Sequence, residues 1–248
     1  MDKDKPSKHH LRFFTEPSSI QGESFYSNDK ELINQIKNVF RLKVGSKITV
    51  LDGSGAEYIV EIFSLGSTNI GGFVLSKKDP RGLSFKINLF CSILKGDRFE
   101  WILQKCTETG ISGFYPVIYK NSIIKEISVN KKHRYEKILK EATEQSQRGK
   151  IPFLSDPISF QEARAIANNG YGIAAIQESD KNIFYFDKEI KSKKEINIFV
   201  GPEGDFSDIE KEAMRRSGIG SFSMGEGILR SETACILASG IIYQIMLK

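Results

Sequence analysis

The sequence predicts an α/β protein in two parts, a small β-rich unit followed by a larger unit built on a mostly parallel sheet. Three observations predict it. Short β-branched segments crowd the first 75 or so residues, a charged stretch over 76–82 breaks the pattern, and strands then alternate with helices to the end of the chain. At 248 residues the chain is long enough for two cores, and the expected division is 1–76 and 77–248.

Within the first part, "NDKELINQIKNVFRLK" places Leu32, Ile33, Ile36, Val39 and Phe40 at helical spacing, which predicts one helix packed on the β unit. "KITVLD" and "EYIVEIF" are β-branched runs joined through Gly53-Ser54-Gly55, the signature of a hairpin. "SKKDPRG" carries proline and glycine and lacks apolar periodicity, so it reads as the linker.

The second part opens with the strand "FKINLFCSIL" and the helix "GDRFEWILQKCTETG", where Asp97 and Glu100 have capping-box spacing and Gly110 ends the helix. "FYPVIY" is a strand despite Pro116. A long helix over about 130–148 carries Tyr135, Ile138, Leu139 and Ala142 on one face. Ser159 and Glu162 cap another helix, which leads to the strand "YGIAAIQ". "INIFVG" and "SFSMG" complete the strands, and alternation at this spacing argues for a parallel sheet covered on both faces.

Composition excludes several functions. Hydrophobic content is 40% with 27% charged residues, and no apolar run approaches the roughly 18 residues that span a bilayer. The opening "MDKDKPSKHH" has no apolar core, so neither a secretory signal nor a usual transit peptide is expected, and the expected compartment is the cytoplasm. Cys91, Cys106 and Cys235 have no CxxC spacing and lie among apolar neighbours, which predicts buried thiols. The three histidines lack partners at metal-ligand spacing, and no metal is expected. A net charge of +5, with basic residues gathered over 8–81 and 131–150, is compatible with a polyanionic partner; a solvated surface is the alternative.

Two glycine loops carry the strongest signal. "FVGPEGDFSDIE" runs from a strand into a helix: Gly201 and Gly204 permit close backbone approach, Pro202 stiffens the turn, and Ser207 with Glu210 forms a capping box. "SFSMGEGILRSETA" repeats the arrangement with Gly225 and Gly227, before an apolar helix from about Ser231. Neither GxxxxGK[ST] nor GxGxxG is present, so phosphate cradling is excluded. Paired glycine loops at strand ends suit a flat polar ligand such as a nucleoside, with Arg230 and Glu232 at the rim. Ordinary sheet connections with glycine as turn residue are the alternative.

With "LKGDRFEWILQKCTETGI", "EATEQSQRGKIP", "HHLRFF" and "FRLKVGSKITVLDGSG" added, these motifs cover nearly the whole chain in order. Together they resemble the RsmE family of 16S ribosomal RNA uracil-N3 methyltransferases, in the SPOUT superfamily. The resemblance implies a PUA-like β-barrel for RNA over 1–76 and a trefoil-knotted SPOUT domain over 77–248 that binds S-adenosylmethionine. It also implies a homodimer, and the apolar C-terminal helix with Ile236, Leu237, Ile241, Ile242 and Ile245 has surface to spare for one. The implied substrate is the assembled small subunit, at uracil-1498 in standard numbering. Two positions depart from the family pattern: Asp205 stands where the family usually has glycine, and Glu226 where it usually has a basic residue.

By the same resemblance, the donor site takes Gly201, Glu203, Gly204, Met224, Gly225, Ile228 and Leu229. Arg12, Arg41, Lys43 and Arg148 are the expected RNA contacts; Arg148, with Glu144 and Gln145, could also meet the donor. Methyl transfer from a sulfonium needs no metal. The chemical difficulty is the acceptor, because uracil N3 must lose a proton while negative charge spreads onto two carbonyls. Arg230 is the candidate that stabilises this charge, with Glu232 or a water accepting the proton. A SPOUT methyltransferase acting on another RNA base, or a binding factor without catalysis, are the competing functions.

Overall fold

The computed structural model describes residues 11–78 and 84–248. They form two compact units: Met1–Gly82 with Thr143–Ile151, and Leu83–Ala142 with Pro152–Lys248. A short segment from the middle of the sequence thus joins the first unit.

The first unit contains β1 (Arg12–Phe14), β2 (Ile20–Gln21), β3 (Ser24–Ser27), α1 (Lys30–Asn34), β4 (Lys47–Leu51), β5 (Glu57–Leu65) and β6 (Ile70–Lys78). The strands are ordered β1-β4-β5-β6-β3-β2 in one sheet, with only the β1–β4 pairing parallel. Alternation along β4 and β5 sends Ile48, Val50, Val60 and Ile62 to one core, where they meet Phe13, Phe25 and the helix. The helix starts at Asp29, whose side chain accepts from the Glu31 and Leu32 amides. It continues as a π turn over Gln35–Val39. Because that turn changes the helical phase, Leu32, Ile33 and Ile36 are buried, whereas Val39 and Phe40 are exposed, contrary to the 3.6-residue expectation. The expected linker is also corrected in part, since Ser76–Lys78 completes β6; its remaining residues lie outside those described.

The second unit runs β7 (Lys86–Cys91), α2 (Arg98–Glu108), β8 (Gly113–Ile118), α3 (Val129–Gln145), β9 (Phe153–Leu154), β10 (Ile158–Ser159), α4 (Phe160–Ala167), β11 (Tyr171–Ala175), α5 (Asp187–Lys191), β12 (Glu195–Val200), α6 (Asp208–Arg216), β13 (Gly220–Phe222) and α7 (Ser231–Leu247). Its sheet is wholly parallel in the order β10-β8-β7-β12-β11-β13, with β9 also beside β8. Period-two alternation divides the strand residues between two cores. Leu89, Ile173 and Ile198 pack toward α2 and α7, while Phe90, Ala174 and Phe199 pack with Ala163 of α4 and Met214 of α6. Tyr135 and Leu139 of α3 join the first of these cores.

Both capping boxes at Ser159/Glu162 and Ser207/Glu210 form as expected. The one at Asp97/Glu100 does not. Asp97 makes no side-chain cap, and Glu100 instead takes the Arg134 guanidinium of α3 at 2.7 Å. Cys91, Cys106 and Cys235 are free and buried. No helix among the described residues is long and apolar enough to cross a membrane, and no metal-binding cluster occurs among them.

Candidate active site

Strands β12, β11 and β13 are neighbours in a parallel sheet, so their carboxyl ends open at one edge. The loops that follow them enclose a cleft of about 520 Å³, large enough for a nucleoside-sized ligand. Its wall combines apolar groups, among them Val200, Pro202, Phe222 and Leu229, with the backbone of Gly201. A Cβ at Gly201 would lie 3.3 Å from the Phe206 nitrogen, so glycine is what allows this turn to fold back on itself. Bare backbone beside apolar side chains is the surface a purine and ribose require, and the residues present fit S-adenosylmethionine.

The loop after β12 is fastened from several sides. Asn121 donates to the Gly204 and Asp205 carbonyls at 2.9 and 3.0 Å, and Glu210 accepts from the Lys120 and Ser207 amides at 2.8 Å. Asp205 has φ +58°, a left-handed conformation that glycine adopts at least cost. Its carboxylate meets the Lys211 ammonium at 2.7 Å, and Lys211 also meets both Glu178 oxygens at 3.0 Å. Burial opposes the Lys211 charge, but these two acids outweigh it and raise the ammonium pKa above its ordinary value. Glu178 is correspondingly lowered, by a backbone hydrogen bond and by Lys211.

Arg230 stands at the N-cap of α7 and lines the cleft. Glu203 lines it too but is taken by Arg98 of α2, at 2.8 Å. Among the described residues no acid pairs with Arg230, so its guanidinium is available to a ligand. Glu232, in the first turn of α7, is placed differently from a rim residue. It is 8% exposed, does not line the cleft, and its Oε2 has no hydrogen-bond partner among the described residues. The helix N-terminus supplies partial positive charge there.

Of the expected donor residues, Gly201, Glu203, Met224, Ile228 and Leu229 meet in the cleft. Gly204 and Gly225 shape the loops without lining it. Gly204 leaves 3.2 Å from a Cβ to Asn121 Cβ, and Gly225 has φ +119°. Glu226 is exposed, and its carbonyl with that of Gly225 accepts from the Gln177 amide. Sequence reasoning missed Arg98, Gln177, Glu178 and Ser231 on the cleft wall. Gln177 and Glu178 lie in the loop just after β11, so their position past a strand end was the available signal.

In the first unit, Arg12 is not a free surface cation. Its guanidinium makes a bidentate pair with Glu57 at 2.7 and 3.1 Å. Arg41, in a left-handed conformation with φ +52°, and Lys43 are exposed on the turn between the helix and β4. Arg148 belongs to the Thr143–Ile151 segment of this unit and is half-buried, and the neighbouring Glu144 accepts from the Phe14 amide at 3.0 Å. The four expected RNA residues thus belong to the first unit, and the cleft residues to the second.

Comparison with known proteins agrees with this arrangement. Residues 81–243 match the model of an RNA methyltransferase domain, and residues 29–70 that of an RNA methyltransferase PUA domain. The chain is 32% identical over 246 residues to ribosomal RNA small subunit methyltransferase E of Bacillus subtilis, covering 94% of this chain and 96% of the relative. The Rickettsia conorii protein of that name is 28% identical over 207 residues, with 83% and 84% covered. Among solved structures, the Neisseria gonorrhoeae enzyme of the same name, bound to S-adenosylmethionine, superposes with a TM-score of 0.81 at 25% identity over 96% of this chain and 98% of that one. With a matching RNA methyltransferase domain over 81–243 and a relative 32% identical across nearly the whole of both chains, the chain belongs to the ribosomal RNA small subunit methyltransferase E family.

Proposed function

We propose that this chain transfers a methyl group from S-adenosylmethionine to N3 of a uridine in 16S RNA on the small ribosomal subunit. The observation that carries the reading is Arg230, without an acidic partner among the described residues, on the wall of a cleft that exposes the Gly201 backbone in an RNA methyltransferase domain. S-Adenosylmethionine supplies a methyl group activated by its sulfonium. The Gly201 backbone and the apolar Leu229 and Met224 side chains hold its nucleoside, and Ile228, exposed on its loop, adds an apolar face.

The chain's own contribution concerns the acceptor. As uracil N3 gives up its proton, negative charge builds on the neighbouring carbonyl oxygens, and Arg230 is positioned to stabilise it. Arg98 occupies the carboxylate of Glu203, the acid that lines the cleft together with Arg230. Glu232 lies behind the cleft wall, so its part in taking the N3 proton runs through a water. On the RNA side, Arg41, Lys43 and Arg148 provide cations of the first unit for the RNA backbone, and Arg12 holds the β1–β5 side of the sheet.

A second copy completes this reading. An apolar groove of about 650 Å³ is lined by Phe184 and by Ile236, Leu237, Ile241 and Ile245 of α7, and it suits a homodimer contact. The setting we propose is the cytoplasm, where ribosomal subunits are found.

The direct test is methyl transfer from radiolabelled S-adenosylmethionine to small subunits from a strain lacking this activity, with mass spectrometry of the labelled nucleoside. Label at N3 of one uridine is the expected result. Label on another base would change the substrate, and donor binding without transfer to any RNA would favour a non-catalytic binding role.

A further inference from the structure

Three loops wall the donor cleft, and side chains tie them to one another. Gln177, after β11, donates to two carbonyls of the loop after β13, at 2.9 and 3.3 Å. Lys211 makes the corresponding tie between the loops after β11 and β12. It projects from α6 and holds Glu178 on one side and Asp205 on the other. Both acids line the cleft, whereas Lys211 does not, so the lysine supports the wall from behind.

Asp205 makes this tie possible. A left-handed residue costs least as glycine, but glycine would offer Lys211 nothing to grip on the β12 loop. Here the backbone turn is kept at φ +58° and a carboxylate is added to it. The Lys211 side chain is 22% exposed whereas Glu178 and Asp205 are 67% and 48% exposed, so the tie is shielded at its lysine end, and its contribution comes from holding two acids with one ammonium.

We propose that Lys211 is a positioning residue for the methyl donor, clamping the β11 and β12 loops at the spacing its nucleoside requires through Glu178 and Asp205. The role rests on the reading of this cleft as the donor site. Lys211 touches neither donor nor RNA; it acts through the two carboxylates.

The test is equilibrium binding of S-adenosylmethionine, together with single-turnover methylation of small subunits, for the wild type and for K211A, K211R, E178Q and E178Q/K211A. Lys211→Ala should weaken donor binding about fivefold and raise the donor KM equally, while the rate at saturating donor stays within twofold. Lys211→Arg should restore affinity to within twofold, since arginine can hold both acids. Glu178→Gln should weaken binding about threefold alone and add nothing in the K211A background, because the two changes break the same tie.

Unaltered donor affinity in a folded K211A protein overturns the proposal, as does an arginine variant no better than alanine. Additive losses in the double variant would mean that Glu178 contacts the donor itself, and would likewise overturn the clamp. If K211A fails to fold, E178Q decides alone: that residue is on an exposed loop, and affinity equal to wild type excludes the tie. Absence of donor binding by the wild type would instead remove the donor-site reading, a result distinct from all of these.

Discussion

Arg98 reaches from the first turn of α2 to Glu203, Nη2 to Oε1 at 2.8 Å, and Arg230 on the same cleft wall is left without an acidic partner among the described residues. The Arg98 charge is thus offset by a carboxylate, whereas that of Arg230 is open to a ligand. An arginine neutralised by a neighbouring carboxylate stabilises developing negative charge poorly, whereas one without an acidic partner is open to do so.

Arg230→Ala should therefore lower the single-turnover rate at saturating donor by about 100-fold, with donor affinity changed less than twofold. Rapid-quench kinetics beside equilibrium binding measures both. Arg98→Ala should slow the reaction about tenfold by releasing Glu203 toward Arg230, and R98A/E203Q should recover most of that loss. A double variant as slow as R98A would show that Arg98 acts otherwise than by occupying Glu203.

Arg12 and the pair Arg41/Lys43 should separate stability from RNA binding. The Arg12–Glu57 pair joins β1 to the start of β5, with both side chains under 15% exposed: 12% and 14%. Losing the two charge-assisted hydrogen bonds of this shielded pair should destabilise the first unit by about 2 kcal/mol in R12A. R41A/K43A should leave stability nearly unchanged. It should instead weaken RNA affinity and reduce the slope of log affinity against log salt by roughly 1–2. Thermal denaturation and salt titration of RNA binding together distinguish the two cases.

How much of this was legible in the sequence depended on the range of each interaction. The capping boxes at Ser159/Glu162 and Ser207/Glu210 are three-residue patterns, and both form. Asp97/Glu100 has the same spacing and fails, because Arg134 draws Glu100 away across 34 positions of sequence. β6 was hidden by Gly71-Gly72, which weaken any strand pattern. Their reason is tertiary, since a Cβ at Gly71 would meet the Phe63 ring at 2.8 Å and one at Gly72 would strike the Val60 side chain. The glycine loops of the cleft could be read directly. The ties that hold them could not, because Arg98–Glu203 and Lys211–Glu178 join residues 105 and 33 apart. A charged residue on a helix shows its chemistry in the sequence but not its partner.

The thiols provide a check on the second core. Burial pushes the Cys106 and Cys235 pKa values well above the ordinary range, which leaves almost no reactive thiolate at pH 8. Ellman's reagent should thus find no rapidly reacting thiol in the native protein at that pH and three after denaturation. Raising the pH to 9 should not change the native result: the raised pKa of Cys106 and Cys235 keeps them protonated until the protein opens, and Cys91, 2% exposed, is out of the reagent's reach. A fast-reacting fraction in native protein would place at least one cysteine at the surface.

The packing of α2 against α7 meets its strictest steric limit at Gly110. This residue ends α2 with φ +99°, and a Cβ placed on it would overlap the Tyr243 ring of α7. Two costs then coincide: a left-handed backbone that a Cβ disfavours by about 1–2 kcal/mol, and an overlap of the kind that costs about 1–3 kcal/mol in packed cores. Gly110→Ala should therefore destabilise the second unit by about 3 kcal/mol in chemical denaturation. Tyr243→Ala removes the obstacle but not the backbone cost. In that background G110A should cost only about 1 kcal/mol, and the difference between the two measurements isolates the collision. If G110A costs the same with and without the tyrosine, the ring is free to turn aside and backbone conformation alone is what requires glycine.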